Sequence, residues 1–70
     1  MENSNIQLPP HQQRVIDEQK ELLDKISKLR YFLEMDFFKT LSEEDQKDLE
    51  DQELIMLDYN NILLKRISKF

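Results

Sequence analysis

Cations stand near both ends of this chain, His11 and Arg14 at the start and Lys65, Arg66 and Lys69 at the end. An imidazole, two guanidinium groups and two ammonium groups suit phosphate oxygens, which accept charge-assisted hydrogen bonds as a fork from arginine and at a point from lysine. Little else in the 70 residues suits chemistry. With one histidine and no cysteine, a Cys–His nucleophile is excluded, and His11 has no partner at the i,i+4 spacing of a helical zinc site. Glycine is absent, which removes phosphate-cradling glycine loops and nucleophile elbows. Carboxylate pairs such as Glu43–Glu44 and Asp17–Glu21 are the remaining candidates for acid–base or metal chemistry, and in so acidic a chain they read as solvated helix faces. The expectation is a protein with no catalytic residues, no metal and no cofactor.

For the two cation groups to meet, the chain must fold back on itself, and its apolar periodicity says how. From Pro10 to Leu33 the residues Val15, Leu22, Ile26, Leu29 and Leu33 keep to one stripe of a 3.6-residue helix, with Gln19 its polar member. Pro10 suits the first turn, where its missing N–H has no intrahelical partner to lose. Asp17, Glu18 and Glu21 precede Lys25, Lys28 and Arg30, an order that complements the helix dipole and adds an attractive Glu21–Lys25 pair. A second helix is expected from Ser42 to the end. Ser42 caps a first turn holding Glu43, Glu44 and Asp45, and Leu49, Gln52, Met56, Tyr59, Leu63, Ile67 and Phe70 form its stripe. Between the helices, Phe37, Phe38 and Leu41 are expected to close the end of the core, which Tyr31 and Phe32 also join.

The predicted fold is therefore all-α: an antiparallel two-helix hairpin over residues 9–70, behind a mobile arm at residues 1–8. Leu33 would face Leu49, Ile26 Met56, Leu22 Tyr59 or Asn60, and Val15 Ile67. A chain this short buries only about 60% of its unfolded surface, and without cysteines the remaining staple is self-association. The second helix has apolar residues to spare. Leu54, Leu57, Asn61 and Leu64 make a second seam, widened by Ile55 and Ile62, and a surplus of this size points to an interface between subunits. Asn61 resembles a single buried Asn that fixes register, or else is an exposed helix residue.

Charge along the second helix is polarised. Glu43, Glu44, Asp45, Asp48, Glu50, Asp51, Glu53 and Asp58 stand against Lys47 alone, before Lys65, Arg66 and Lys69 with no acid. In an antiparallel hairpin those cations lie beside His11, Arg14 and the positive end of the first helix, where a phosphate would be welcome. The same gradient also serves simply to complement the second helix's own dipole. A net charge of −5 argues against a nucleic-acid polymer as partner. No apolar run approaches the length of a membrane span, and Met1–Leu8 lacks the features of a signal peptide, so a soluble, intracellular protein is expected.

The run Gln12-Gln13-Arg14-Val15-Ile16-Asp17-Glu18, then Leu22, Lys25-Ile26-Ser27, Leu29 and Phe32, and finally Gln52, Met56, Tyr59, Leu63, Arg66-Ile67 and Phe70, resembles the small helical-hairpin proteins of the phage anti-CBASS sponge family. The likeness covers about residues 8–70 and extends to sponges that counter Thoeris defence. It implies a non-enzymatic phage protein in the cytoplasm of the infected cell, assembling typically as a hexamer and sequestering the cyclic di- and trinucleotide messengers of bacterial CBASS immunity. Lys25-Ile26-Ser27 resembles the family's Lys-x-Thr/Ser element on the phosphates of a cyclic dinucleotide, which gives His11, Arg14, Lys25 and Ser27 as that site. His11 replaces the family's base-stacking aromatic there. Arg66, with Lys69, resembles a separate cyclic-trinucleotide site. The alternative is an adaptor hairpin that binds another protein through its surplus apolar seam.

Overall fold

A computed structural model describes residues 8–70, which form helix α1 (Pro10–Leu33), a 3-10 turn (Asp36–Thr40) and helix α2 (Glu43–Ile67). The expected arm at residues 1–8 lies outside the described residues except for an exposed Leu8. Pro9, extended at φ −54° and ψ 148°, precedes α1, and its carbonyl accepts from the amides of Gln12 and Gln13 at 3.0 and 3.1 Å. The helix thus starts without a side-chain cap. At α2 the start is a cap in the full sense: Ser42 Oγ accepts from the Asp45 amide at 3.1 Å, with Glu43, Glu44 and Asp45 in the first turn.

A chain without glycine lacks the residue that most readily turns left-handed at a reversal. Among the described residues none has positive φ. Two extended residues, Met35 and Leu41, bracket the 3-10 turn instead, so the reversal is built from two corners rather than one. Thr40 Oγ1 donates to the Phe37 carbonyl at 2.6 Å, and Gln46 Nε2 reaches back from α2 to the Leu41 carbonyl at 2.9 Å, tying the turn to the helix it starts.

The two helices pack antiparallel around Val15, Leu22, Ile26 and Leu63, with Met56, Leu57 and Ile67 against them, and Phe38 closes the end of the core. On α1 the buried line follows the expected stripe, including the polar Gln19. On α2 it differs. Gln52 and Tyr59 are exposed, and the inner line runs instead through Glu53 and Asn60, because the four-three alternation from Leu49 leads to Glu53, Met56, Asn60, Leu63 and Ile67. Asn60 is only 8% exposed and is the one buried polar residue among those described. Its Oδ1 accepts from Gln19 Nε2 at 3.0 Å. Asn60 is thus buried inside the hairpin, while Asn61 is exposed on the single hairpin, on the side where the expected subunit seam lies.

Three aromatic expectations also change. Tyr31 is 70% exposed, since it leaves α1 on the side away from α2, and Phe37 is exposed beside Phe32, ring centroids 6.1 Å apart. Phe70 lies beyond α2, which ends at Ile67 with Ser68 as its C-cap, and is exposed. Only Phe38 fulfils the core role expected of the group, buried edge-on to the half-buried Phe32 at 6.3 Å.

Candidate ligand face

Which side of the hairpin each cation occupies follows from two cross-helix contacts. Gln19–Asn60 fixes the level of α1 against α2, and Arg30 Nε to Glu53 Oε2, at 3.2 Å, marks one flank. Right-handed helices packed antiparallel place residues displaced in the same rotational sense from the contact line on the same flank, and each residue advances about 100°. Stepping along α1 from Arg30 by helical spacings reaches Ser27, Leu23 and Ile16; stepping from Glu53 along α2 reaches Leu57, Asn61 and Leu64. This flank carries an apolar set, Leu23 and Leu64 exposed and Ile16 and Leu57 half-buried, beside the polar Ser27 and Asn61 and the Arg30–Glu53 pair.

The other flank has a different chemistry. On α1 it holds His11, Arg14, Glu18, Glu21 and Lys25, at steps of three, four, three and four; on α2 it holds Ile55, Tyr59, Ile62 and Arg66, at steps of four, three and four. Arg14 lies five residues before Gln19 and Arg66 six beyond Asn60. At 1.5 Å per residue the two arginines stand at the same level along the hairpin to within about 2 Å. Both are exposed, and neither forms an ion pair with a described residue. Arg30, Lys28 and Lys47, by contrast, are paired with Glu53, Asp24 and Asp51. Two guanidinium groups at one level on one flank, with Glu18 a turn from Arg14, are chemically suited to grip phosphate oxygens bidentately.

The hairpin brings together some of the expected site residues and separates others. His11 and Arg14 share a face of α1 one turn apart, and Arg66 joins them from α2. Lys25 is on the same flank but eleven residues further along than Arg14, roughly 16 Å away. Ser27 is not on that flank: two residues on from Lys25, it leaves the helix about 200° around the axis. Lys69 follows α2 near the chain end, exposed, with its amide bonded to the Arg66 carbonyl at 3.1 Å. Of the seam residues, Leu54, Asn61 and Leu64 are exposed, whereas Leu57 packs on the hairpin's own core.

Two features escaped the sequence reading. Tyr59, assigned there to the core, stands on the cationic flank seven residues from Arg66, and a spacing of two full turns was the signal available. Ile16 and Leu23 extend the apolar flank onto α1; they were legible as a second stripe seven residues apart.

Among the described residues no helix is long and apolar enough to cross a membrane. The sequence model of a family described as Sequestin matches residues 9–69. No curated protein and no solved structure matches the chain.

Proposed function

The chain belongs to the Sequestin family, and from that premise we propose that it is a non-enzymatic phage protein of the infected bacterial cytoplasm that binds and sequesters the cyclic di- and trinucleotide messengers of CBASS immunity. The family description supports sequestration, and the pairing of Arg14 with Arg66 on one exposed flank is the observation that carries the ligand class. Guanidinium groups side by side suit the closely spaced phosphates of a cyclic nucleotide, and Tyr59 offers a ring on which a base can stack. His11 stands ready at the same end. Sequestration is stoichiometric, so it requires a Kd well below the messenger concentration; at nanomolar Kd that is about −12 kcal/mol.

Self-association is part of the proposal, as a hexamer in keeping with the resemblance. The apolar flank supports it, since Leu23, Leu54 and Leu64 would otherwise stay in water. The spacing of His11 and Lys25 supports a dinucleotide site shared between subunits. Fourteen residues set them roughly 21 Å apart on one helix, too far for one compact ligand, whereas two antiparallel copies bring His11 of one toward Lys25 of the other. A two-fold ligand suits such an isologous contact. Mixing His11→Ala and Lys25→Ala subunits should then create a class of sites absent from either parent; a titration equal to the sum of the parents would contradict the sharing.

Calorimetric titration with a panel of cyclic di- and trinucleotides tests the ligand class. Saturable, stoichiometric heat with at least one member is expected. No heat with any member, in a chain that light scattering shows to be monomeric, would favour an adaptor whose apolar flank docks on another protein.

A further inference from the structure

We infer that the part-buried Gln19–Asn60 pair is a positioning element: it selects the one helix register in which Arg14 and Arg66 stand level. The inference rests on the proposed ligand face, but its first readout does not.

The apolar contacts alone choose the register poorly. Val15, Leu22, Ile26, Leu29 and Leu33 repeat at helical spacing along α1, as Leu49, Met56, Leu63 and Ile67 do along α2. Sliding one helix past the other by one turn, about 5.4 Å, exchanges one aliphatic neighbour for another along most of the contact. The nine-residue connection between the helices, residues 34–42, spans enough chain to follow such a slide once its 3-10 turn is remodelled and Phe38 displaced. Gln19 and Asn60 do distinguish the registers. In the observed one, Gln19 Nε2 donates to Asn60 Oδ1 at 3.0 Å in a site where Asn60 is 8% exposed. One turn away in either direction, Gln19 faces Met56 or Leu63 and Asn60 faces the apolar stripe of α1, so both amides lose their partner while still shielded from water. Among the described residues this is the only polar side-chain link between the helices besides Arg30–Glu53, and in that pair Arg30 is 63% exposed against 21% for Glu53, which weakens its discrimination. A one-turn slide also moves Arg14 and Arg66 apart by the same step, which separates the two groups that grip the anion.

The test compares the full chain with Gln19→Leu/Asn60→Leu. Because the chain has no cysteine, spin labels at Lys28→Cys and Lys65→Cys, both exposed and in the observed register roughly 21 Å apart along the hairpin, report the inter-helix offset by pulsed electron resonance, with unlabelled chain added to suppress distances between subunits. The parent should give one narrow distance. The double-leucine variant should remain helical and melt no lower, yet show a broadened or second distance, shifted by roughly half a helical pitch. If the native register then holds only a tenth of the population, the apparent Kd for a cyclic nucleotide bound by the parent rises about tenfold. The exchanged pair Gln19→Asn/Asn60→Gln should restore the narrow distance. A narrow, parent-like distance in the double-leucine variant would overturn the inference; should that variant fail to fold, a broad distance in the exchanged pair would do so. Absence of nucleotide binding in the parent would refute the ligand proposal and leave the distance result to decide the register claim.

Discussion

The two flanks of the hairpin share the same helices and differ in almost everything else. One presents Ile16, Leu23, Leu57 and Leu64 with Ser27 and Asn61, bounded by the Arg30–Glu53 pair; the other presents His11, Arg14, Lys25 and Arg66 around Tyr59, interspersed with Glu18, Glu21, Ile55 and Ile62. On the apolar flank the charges at the edge neutralise each other, while on the cationic flank Glu18 and Glu21 stand among the cations and the arginines form no ion pair with a described residue. The difference teaches that a two-helix element can divide labour by side: burial that the small core lacks is available on one flank, and charge that a phosphate would neutralise is left on the other.

Substitutions can break this division, and the largest effect is expected at Leu57, which packs on the core while facing the apolar flank. Leu57→Glu should abolish association and lower the thermal midpoint, since an unpaired charge forced into that site costs several kcal/mol. Leu54→Glu sharpens the point. At 60% exposure Leu54 contributes little to the hairpin itself, so light scattering should show dissociation while circular dichroism of the helices changes little.

On the other flank, Arg14→Ala and Arg66→Ala should each weaken cyclic-nucleotide binding by about 1.5–3 kcal/mol, the worth of a charge-assisted hydrogen bond. Titration calorimetry would show this as a loss of roughly ten- to a hundredfold. Neither change should shift the thermal midpoint, because both side chains are exposed. Tyr59→Leu should cost somewhat less, about 1–3 kcal/mol if a base stacks there, and unaltered affinity in that variant would remove Tyr59 from the ligand face.

The smallest effect is expected at Lys47, whose pKa is raised above the ordinary lysine value first by its hydrogen bond to Asp51 and then by that carboxylate's charge. A raised folded-state pKa gives stability that is present below the unfolded-state value and lost as pH rises through the folded one. The pair is solvent-exposed, so its contribution is slight. The midpoint difference between the parent and Asp51→Asn should be small at neutral pH and vanish in the alkaline range, measured by melting across pH.

Most of the fold was legible in the sequence because periodicity and caps are local. Pro10, Leu33 and Ser42 marked their boundaries correctly, and α1's inner line was read residue by residue. The inner line of α2 was not. Gln52 and Tyr59 fit a three-four pattern as well as Glu53 and Asn60 do, and only the partner helix decides between them, through Gln19 to Asn60 and Arg30 to Glu53. The exposure of Tyr31 and Phe37 likewise depends on where the turn leaves α1, which no local signal encodes. Of the candidate site, the meeting of His11 and Arg14 with Arg66 followed from antiparallel packing alone. That Ser27 lies on the opposite flank from Lys25 was available from their spacing, and that Arg14 and Arg66 stand level required the register.

The central claim is that the cationic flank holds a cyclic nucleotide and returns it unchanged. The most direct measurement loads the protein with a cyclic nucleotide that it binds, removes free ligand, denatures the complex by heat and analyses the released material by chromatography. The account predicts intact cyclic nucleotide recovered in a fixed ratio to protein, with recovery lost in Arg14→Ala/Arg66→Ala. Linearised product, or equal recovery from that double variant, would contradict it.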